Sequence, residues 1–472
     1  MSPVLPGPAP HPVLRRRANA HVYATDPVGY SSRLYHEHGP VSGLVRGDDR
    51  QVFAFGPEHN RTVMTSGDVF HTVLEHSIPE RIRRARRGIG LLNMNGPAHR
   101  VARRMAAPSF RPQVIAQHAE LIAELAAAEV DTWAAGEPFD LAAAMRRLTL
   151  RIACRCLFGV DIAASADPIG VMVQDMLALR YFDSSIRYFP FDVPGAPYRR
   201  LLTVIRRLDD TLAEIVATRR AQDGQPDLLG SLLSTRDGDG RQLDDDQLVG
   251  HLTTLLVAGH ETSSNTLAWA FLLLSQHPGE LDTVLASVPG RSPGRPADAA
   301  AAVGDATLDR VLKEVLRLLP PGPLTARIAM APTQIGGYEI PAWCQVMTSK
   351  FVTHRDPVVF PDPLRFRPGR WESTRPSLYQ YLPYGAGAHA CLGAAFADLE
   401  MKIVLATVLG RYRLEPVPGT EVSRQVGLMM APRGAIPVVA RPREAAGPVA
   451  RVQGDVHEMV DMDGAHRWRL GW

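Results

Sequence analysis

A single cysteine, Cys391, lies in a glycine-rich turn and offers the most distinctive chemistry in the chain. Gly385, Gly387 and Gly393 allow positive φ and a close approach of the backbone to a flat ligand. Apolar residues at helical spacing after the cysteine predict a helix from Leu392 to Leu409. The free amides and dipole of this helix would lower the pKa of the thiol. The turn is therefore predicted to present a thiolate ligand.

The spacing around Cys391 limits which metal the thiolate binds. No second Cys or His follows at the spacing that zinc sites use. A lone soft thiolate suits haem iron better than a tetrahedral metal site. The alternative is a buried apolar cysteine beside a glycine turn.

The turn resembles the haem-binding signature of the cytochrome P450 superfamily, F-x-x-G-x-[HR]-x-C-x-G. Gly387, His389, Cys391 and Gly393 match, and Tyr384 replaces the usual phenylalanine. The resemblance spans about residues 26–442 and implies haem b (iron protoporphyrin IX) with Cys391 as the metal ligand. The cofactor-binding residues it implies are Cys391, Tyr384, Gly385, Gly387, Gly393, His389, His99, Arg103 and Arg327.

A second motif lies in a strongly apolar helical run, Leu252–Leu274, where a carboxylate and hydroxyl groups interrupt the pattern. Burial of such groups is costly without a purpose. Thr262 can donate to the carbonyl of Ala258, which would open a groove in the helix. The hexapeptide AGHETS is similar to the family's oxygen-activating motif, which implies that Glu261 delivers protons and Thr262 holds the water and reduced oxygen that receive them. The alternative is a polar kink in a core helix.

A third pattern pairs a carboxylate with two distant arginines. Glu314 and Arg317 share a helical face, and the segment FRPGRW resembles the family's source of a second arginine, Arg370. A surface ion pair would have the same local spacing. The resemblance implies a buried structural network behind the thiolate turn.

Haem propionates need cationic or hydrogen-bonding partners. His99 and Arg103 share a helix face at i,i+4, as in bacterial relatives, and Arg327 and His389 match two further positions. Each alone is typical of a solvated charge, and their joint occurrence favours the propionate role.

Two further sets concern the substrate. The cluster Arg81–Arg87 is typical of a solvated face, with an anionic substrate or carrier as the alternative. By family position, the pocket is predicted to be mainly hydrophobic. Its predicted residues are Leu255, Ala258, Leu324, Thr325, Met429 and Met430.

Composition argues against several classes. Lys and Arg number 52 against 49 Asp and Glu, a net charge of +3, which does not favour nucleic acid. Four cysteines without a disulfide pattern suit a reducing cytoplasm. No apolar run predicts a signal peptide or a membrane span. A soluble, cytoplasmic, monomeric protein is predicted.

The fold class expected is α+β, mostly α: one large helical domain with small β-sheets, as the family fold implies. Residues 1–25 are predicted to form an extended arm, 26–442 the haem-thiolate monooxygenase domain, and 443–472 a mobile or loosely docked extension. A short helix is predicted over Asp26–Tyr35. Strands are predicted at Val41–Val45, Gln51–Ala54, Tyr338–Ile340, Val346–Ser349 and Ile436–Ala440.

The function implied is insertion of one oxygen atom from O2 into a hydrophobic small molecule, as in secondary metabolism. Electrons derived from NAD(P)H would come through a separate ferredoxin-type partner, since no flavin or iron–sulfur motif is present. The alternatives are a P450-type enzyme catalysing desaturation, coupling or peroxide-driven oxidation, and a non-catalytic haem-binding sensor.

Overall fold

Helices dominate the fold. The computed structural model describes residues 3–73, 76, 79–159, 168–179, 186, 190–221, 227–292, 294–427, 429–445 and 450–462. The helices of this part are α1 Arg16–Thr25, α2 Pro27–His38, α3 Pro57–Thr65, α4 Glu80–Ala85, α5 Gly96–Ala106, α6 Pro112–Ile115, α7 Ala119–Asp131, α8 Leu141–Phe158, α9 Pro168–Leu177, α10 Pro197–Arg220, α11 Leu228–Ser234, α12 Asp245–Gln276, α13 Pro278–Ser287, α14 Ala299–Gly304, α15 Ala306–Leu318, α16 Lys350–Thr353 and α17 Ala394–Leu409.

Short strands form small sheets at the edge of the helical body. The largest sheet described has the order β1-β2-β8-β5-β3, with β2 and β8 parallel and its other pairs antiparallel. The remaining sheets are β4-β12-β9, β6-β7 and β10-β11. The strands are β1 Val41–Gly43, β2 Gln51–Ala54, β3 Phe70–Thr72, β4 Pro138–Asp140, β5 Leu324–Ala329, β6 Thr333–Ile335, β7 Tyr338–Ile340, β8 Gln345–Ser349, β9 Tyr412–Pro416, β10 Arg424–Val426, β11 Met430–Pro432 and β12 Pro437–Pro442.

Helix α12 runs through the centre of the molecule. A capping box starts it: Asp244 accepts from the amide of Gln247, and the Gln247 side chain accepts from the amide of Asp244. Its C-terminal half, from Ser263 to Gln276, is buried throughout, and it packs against α8, α10, α15 and α17. A buried helix of this kind gives its side chains fixed positions, and α12 carries Thr262.

The α+β, mainly helical class is confirmed. All five predicted strands appear: Gln51–Ala54 and Tyr338–Ile340 have the predicted bounds, and the other three have ends shifted by one or two residues. The predicted helix at Asp26 extends to His38. Gly56 and Pro57, which follow β2, begin α3 because Pro at the first helical position is preorganised.

The N-terminal arm is not extended throughout, because Arg16–Thr25 forms α1. Helix α1 is held by contacts with residues more than 30 positions away, which the local sequence does not predict. Arg16 donates to Asp48 at 2.6 Å and to Gln51 at 3.1 Å, in the β1–β2 hairpin region.

The C-terminal segment is also more firmly held than the prediction of a mobile or loosely docked extension. Val456, Met459 and Val460 are fully buried in the main core. The fully buried Arg355 donates to the carbonyl of Met459 at 2.9 Å. Residues 450–462 are therefore part of the domain core, while 446–449 and 463–472 lie outside the described residues.

Within the residues that the structure describes, no helix has the length and apolar character that crossing a membrane requires.

Candidate active site

A cavity of about 440 Å³ lies between α12, the β5 strand and the cysteine turn. Cys391 and Thr262 both line it, from opposite elements of the fold. Most of its accessible surface is apolar. The predicted residues that line it are Thr262, Leu324, Thr325, Arg327, Tyr384, Gly385, His389, Cys391 and Met429. Leu255, Ala258 and Met430, also predicted for the pocket, are not among its lining residues.

The cysteine turn needs glycine at two of the three predicted positions. Gly385 and Gly387 have φ of 71° and 70°, in the left-handed region. A Cβ at Gly387 would also lie 2.0 Å from the carbonyl oxygen of Met64, which no side chain tolerates. Gly393 has an ordinary φ of −89° and caps α17. The expectation of positive φ is wrong for Gly393, whose contribution is an amide hydrogen.

Cys391 lies deep in the fold, and its accessible face opens onto the cavity. The helix α17 starts at Ala394, so the turn separates the sulfur from the first helical residue. Burial raises the pKa of the Cys391 thiol, while the amide of Gly393, Lys350 and Arg103 lower it. Burial wins, so the predicted net lowering of this pKa is wrong for the protein alone. A metal cation would supply the missing stabilisation of the thiolate.

The hydroxyl of Tyr384, the departure from the family signature, has its own partner. It donates a hydrogen bond to the carboxyl of Asp398 on α17. Burial, Asp398 and Cys391 raise the pKa of Tyr384 well above its usual range, so the phenol stays neutral. The extra hydroxyl therefore ties the cysteine turn to the following helix.

Thr262 makes the helix contact that the sequence predicts, donating to the carbonyl of Ala258 at 2.8 Å. Glu261 does not line the cavity. Its carboxylate lies 3.4 Å from Nε2 of the buried His260. Burial raises the pKa of Glu261, but His260 and Arg146 together outweigh burial and lower it. Glu261 is thus an anion set behind the wall that Thr262 forms.

Glu400 on α17 is a buried acid that the sequence reasoning missed. Burial raises its pKa to about 8, and the neighbouring Ser263 hydroxyl offsets little of this. Ser263 follows Thr262 directly and lines the cavity. A neutral carboxyl group therefore lies next to Ser263, a residue of the cavity wall. In the sequence, Glu400 reads as an ordinary polar position of a helix.

The four residues predicted for the propionates come together. The rings of His99 on α5 and His389 in the turn stack at 4.0 Å between centroids. Burial, Arg327, His99 and Arg103 lower the pKa of His389, to about 3. Burial lowers that of Arg327 to about 10. In the described chain, neither Arg103 nor Arg327 has a carboxylate within ion-pair distance.

The comparisons with known proteins agree with this geometry. The family model described as cytochrome P450 matches residues 5–437. The chain belongs to the cytochrome P450 family. Cyclooctatin synthase of Streptomyces melanosporofaciens is 33% identical over 428 residues, 85% of this chain and 89% of the relative. Cyclooctat-9-en-7-ol 5-monooxygenase of the same organism is 31% identical over 429 residues, 86% of this chain and 89% of the relative. The structure of this chain is similar to that of the cytochrome P450DA heme domain, with a TM-score of 0.83 and 25% sequence identity. The match covers 94% of this chain and 99% of the other.

As a P450 the chain is an oxidoreductase, and the residues present fit the family's haem. The Cys391 thiol opens onto the cavity, and in the described chain neither Arg327, which also lines it, nor Arg103 near the thiol has a carboxylate within ion-pair distance. A mutual repulsion of this kind is costly in a buried site unless an anion joins it. The two propionates of haem would supply this negative charge.

The Glu314 network is confirmed in this P450. Arg317 donates to both Glu314 oxygens at 3.0 Å, and Arg370 donates to one at 2.8 Å. Trp371 adds an indole hydrogen bond at 3.0 Å. Glu314 and Arg317 are fully buried. His354, whose carbonyl accepts from Arg317, accepts the Leu382 amide through Nε2, which links the network to the segment before the cysteine turn.

The arginine cluster is partly neutralised. Arg84 pairs with Glu80 at 2.9 Å and Arg87 with Asp210 at 2.9 Å. These pairs favour the solvated-face interpretation over an anion-binding role.

Proposed function

We propose that this P450 is a monooxygenase that inserts one atom of O2 into a C–H bond or alkene of a hydrophobic small molecule. One oxygen atom enters the substrate, and the other is reduced to water by two electrons and two protons. The electrons come from NAD(P)H through a separate ferredoxin-type partner. The observation that carries the proposal is that the Cys391 sulfur and the Thr262 hydroxyl line one mainly apolar cavity.

Haem b, when bound, supplies the redox chemistry at its iron, and Cys391 is its ligand from this chain. Cys391 contributes a soft, electron-donating sulfur. Gly385 and Gly387 let the backbone wrap that sulfur. His99, Arg103, Arg327 and His389 hold the propionates by hydrogen bonds and charge. These assignments explain why Arg103 and Arg327 have no acidic partners among the residues that the structure describes.

Proton delivery falls to Glu261 and Thr262. Thr262 lines the cavity and positions water there, while the Glu261 carboxylate, one residue before it and outside the cavity lining, passes protons toward it. Glu261 is ionised at neutral pH because its pKa is lowered. It acts as a relay that accepts and passes protons rather than as a standing acid.

The substrate class proposed is a lipophilic alicyclic compound with few polar groups. Leu316, Leu324, Val426 and Met429 supply apolar walls, and Thr325 adds a hydroxyl. One relative is named for oxidation of cyclooctat-9-en-7-ol, which has this character. A screen of such compounds against the purified protein, read by the spectral change on loss of iron-bound water, identifies ligands.

The decisive test is Thr262→Ala. We expect haem content and substrate binding close to wild type, with more of the consumed NAD(P)H appearing as hydrogen peroxide and less as product. Ser264→Ala is the matched control, because Ser264 makes a similar hydroxyl-to-carbonyl bond, to Glu261 at 3.1 Å, without lining the cavity. An unchanged product-to-peroxide ratio in Thr262→Ala would withdraw the proton-delivery role.

Cys391→Ser tests the ligand assignment separately. A neutral hydroxyl is a poor donor to iron, so the thiolate spectrum of the reduced carbon monoxide complex should disappear. Cys154→Ser changes a buried thiol in another part of the core and should leave the spectrum intact. Retention of the spectrum in Cys391→Ser would contradict the assignment.

A further inference from the structure

Lys350 lines the same cavity as Cys391 and Arg327 and has no role in the site described so far. It is the first residue of α16, directly after β8, and its amide donates to the carbonyl of Pro323 at 2.8 Å. Its ammonium group donates to the carbonyl of Pro383 at 3.3 Å. The side chain is therefore held between the start of β5 and the entrance to the cysteine turn.

Lys350 is half-buried and lines the cavity. Burial lowers its pKa to about 8, the Cys391 thiolate raises it, and Arg327 lowers it further. In the described chain, no Asp or Glu lies within ion-pair distance of its ammonium group. A buried cation without an anionic partner is unfavourable.

The other lysines show what this chain normally does with an ammonium group. The sequence contains three lysines. Lys313 and Lys402 both pair with Asp309, at 2.6 and 3.1 Å. In the described chain, Lys350 alone of the three has no acid within ion-pair distance.

We propose that the ammonium group of Lys350 binds a carboxylate inside the cavity, and that this carboxylate is a propionate of the haem. The inference rests on the proposed function for the presence of haem. Arg327 acts electrostatically on His389 and on Lys350, so it is near both. The His99, His389 and Arg103 set serves one propionate, and Lys350 with Arg327 serves the other.

A substrate carboxylate has the same chemistry, but the anchoring of Lys350 favours the cofactor. The Pro383 carbonyl ties the ammonium group to the residue before Tyr384, the first residue of the cysteine turn. A cation placed there is tied to the segment that carries the proposed haem ligand. With haem bound, this positive charge would raise the reduction potential of the iron, because a nearby cation favours the more negative state.

The test uses haem-loaded protein with Lys350→Met, Lys350→Arg and the control Lys313→Met, whose native side chain is a partly exposed ion-pair partner of Asp309. Without substrate, Lys350→Met should lose haem to excess apomyoglobin faster, by about tenfold, the effect of one charge-assisted hydrogen bond. Its reduction potential should fall below that of wild type. Lys350→Arg should restore both quantities, and Lys313→Met should match wild type.

A second arm separates the two sources of carboxylate. A long-chain fatty acid and its methyl ester are titrated into wild type and Lys350→Met, and binding is read from the haem spectrum. Loss of an acid preference in Lys350→Met, with haem retention and potential unchanged, would overturn the propionate assignment and give Lys350 to the substrate. Unchanged haem retention, potential and ligand preference would overturn the inference altogether.

Lys350→Gln provides a further variant if Lys350→Met does not load haem, because the amide keeps a donor at the same position without charge. It should show the fall in potential with a smaller loss of haem retention, and wild-type values for both would contradict the inference. Failure of the proposed function would give a different result. The rates of haem loss from wild type and from the Lys350 variants would follow the prediction, and none of these proteins would form an oxidised product.

Discussion

Two groups of charged side chains lie near the cysteine turn, and they differ in whether the described chain supplies both signs of charge. Around Glu314, two arginines, an indole and a backbone amide satisfy one carboxylate. Around the cavity, Arg103, Arg327 and Lys350 have no acidic partner in the described chain. The first group is a structural unit that is finished by folding. The second is finished only by an anionic ligand, which makes it a binding site.

Arg317→Leu is expected to have the largest effect, and it tests the structural role of the Glu314 group. The substitution strands the buried Glu314 and should cost about 3–5 kcal/mol of unfolding free energy, a large part of a typical domain's stability. Melting temperature and haem content per protein measure the effect. The control Arg413→Leu removes a more exposed ion pair, with Asp282 at 2.7 Å, and should cost about 1 kcal/mol or less. Full haem content and an unchanged melting temperature in Arg317→Leu would refute the structural role of the network.

Glu400 extends the comparison to a buried carboxyl group without a cation. Its pKa rises from 4.5 to about 8 in the folded protein, so the native state holds more protons than the unfolded state between these values. Stability therefore falls as pH rises through this window, by about 3–5 kcal/mol in total. Glu400→Gln should abolish this fall while matching wild type near pH 4.5.

Melting temperatures of wild type, Glu400→Gln and the exposed control Glu421→Gln, taken at a series of pH values across the window, provide the measurement. Equal slopes for wild type and Glu400→Gln would show that Glu400 is ionised in the folded protein.

Arg327→Leu is the counterpart of Arg317→Leu in the unfinished group. It removes one of several mutually repelling cations, so the unfolding free energy of the polypeptide should change little. Haem retention should weaken by about 1.5–3 kcal/mol, the value of hydrogen bonds to a charged group. Haem transfer to apomyoglobin and thermal melting by circular dichroism separate the two quantities. A large loss of stability with normal haem retention would reverse the distinction between the groups.

The smallest effect is expected for Tyr384→Phe, which restores the residue usual in the family signature. It removes the hydrogen bond to Asp398 and should cost about 1 kcal/mol, with the thiolate spectrum retained. A double-mutant cycle with Asp398→Asn, read by melting temperature, isolates the pair. A coupling energy of zero would mean that the hydroxyl contributes nothing to the turn.

The parts of the site that local spacing determines could be predicted. Thr262 bonds to a carbonyl one turn away, and Glu314 and Arg317 share a face, so each geometry follows from helical periodicity. The family signature added Arg370 and Arg327, which no local rule would place. The pKa direction for Cys391 was wrong because helix amides act locally while burial depends on the whole fold.

Other features depend on distant packing and have no sequence signal. Lys350 follows a strand, and its direction into the cavity depends on how β8 pairs with β5. Glu400 is buried because α17 lies against α12. Residues 450–462 read as a polar tail, yet Arg355 and Arg424 provide partners for them more than 25 positions away.

The docking of that segment has a consequence for synthesis of the chain. Arg355 donates to the carbonyls of Leu318 and Phe351, which leave the ribosome before it, and to that of Met459, which leaves it 104 positions later. The Gln276 side chain likewise donates to the carbonyl of Ala450 and accepts from the amide of Val452, both of which are synthesised much later. The core around these side chains cannot close while the nascent chain is still attached at those positions. Folding of this part of the core is therefore completed only after translation has passed residues 450–459.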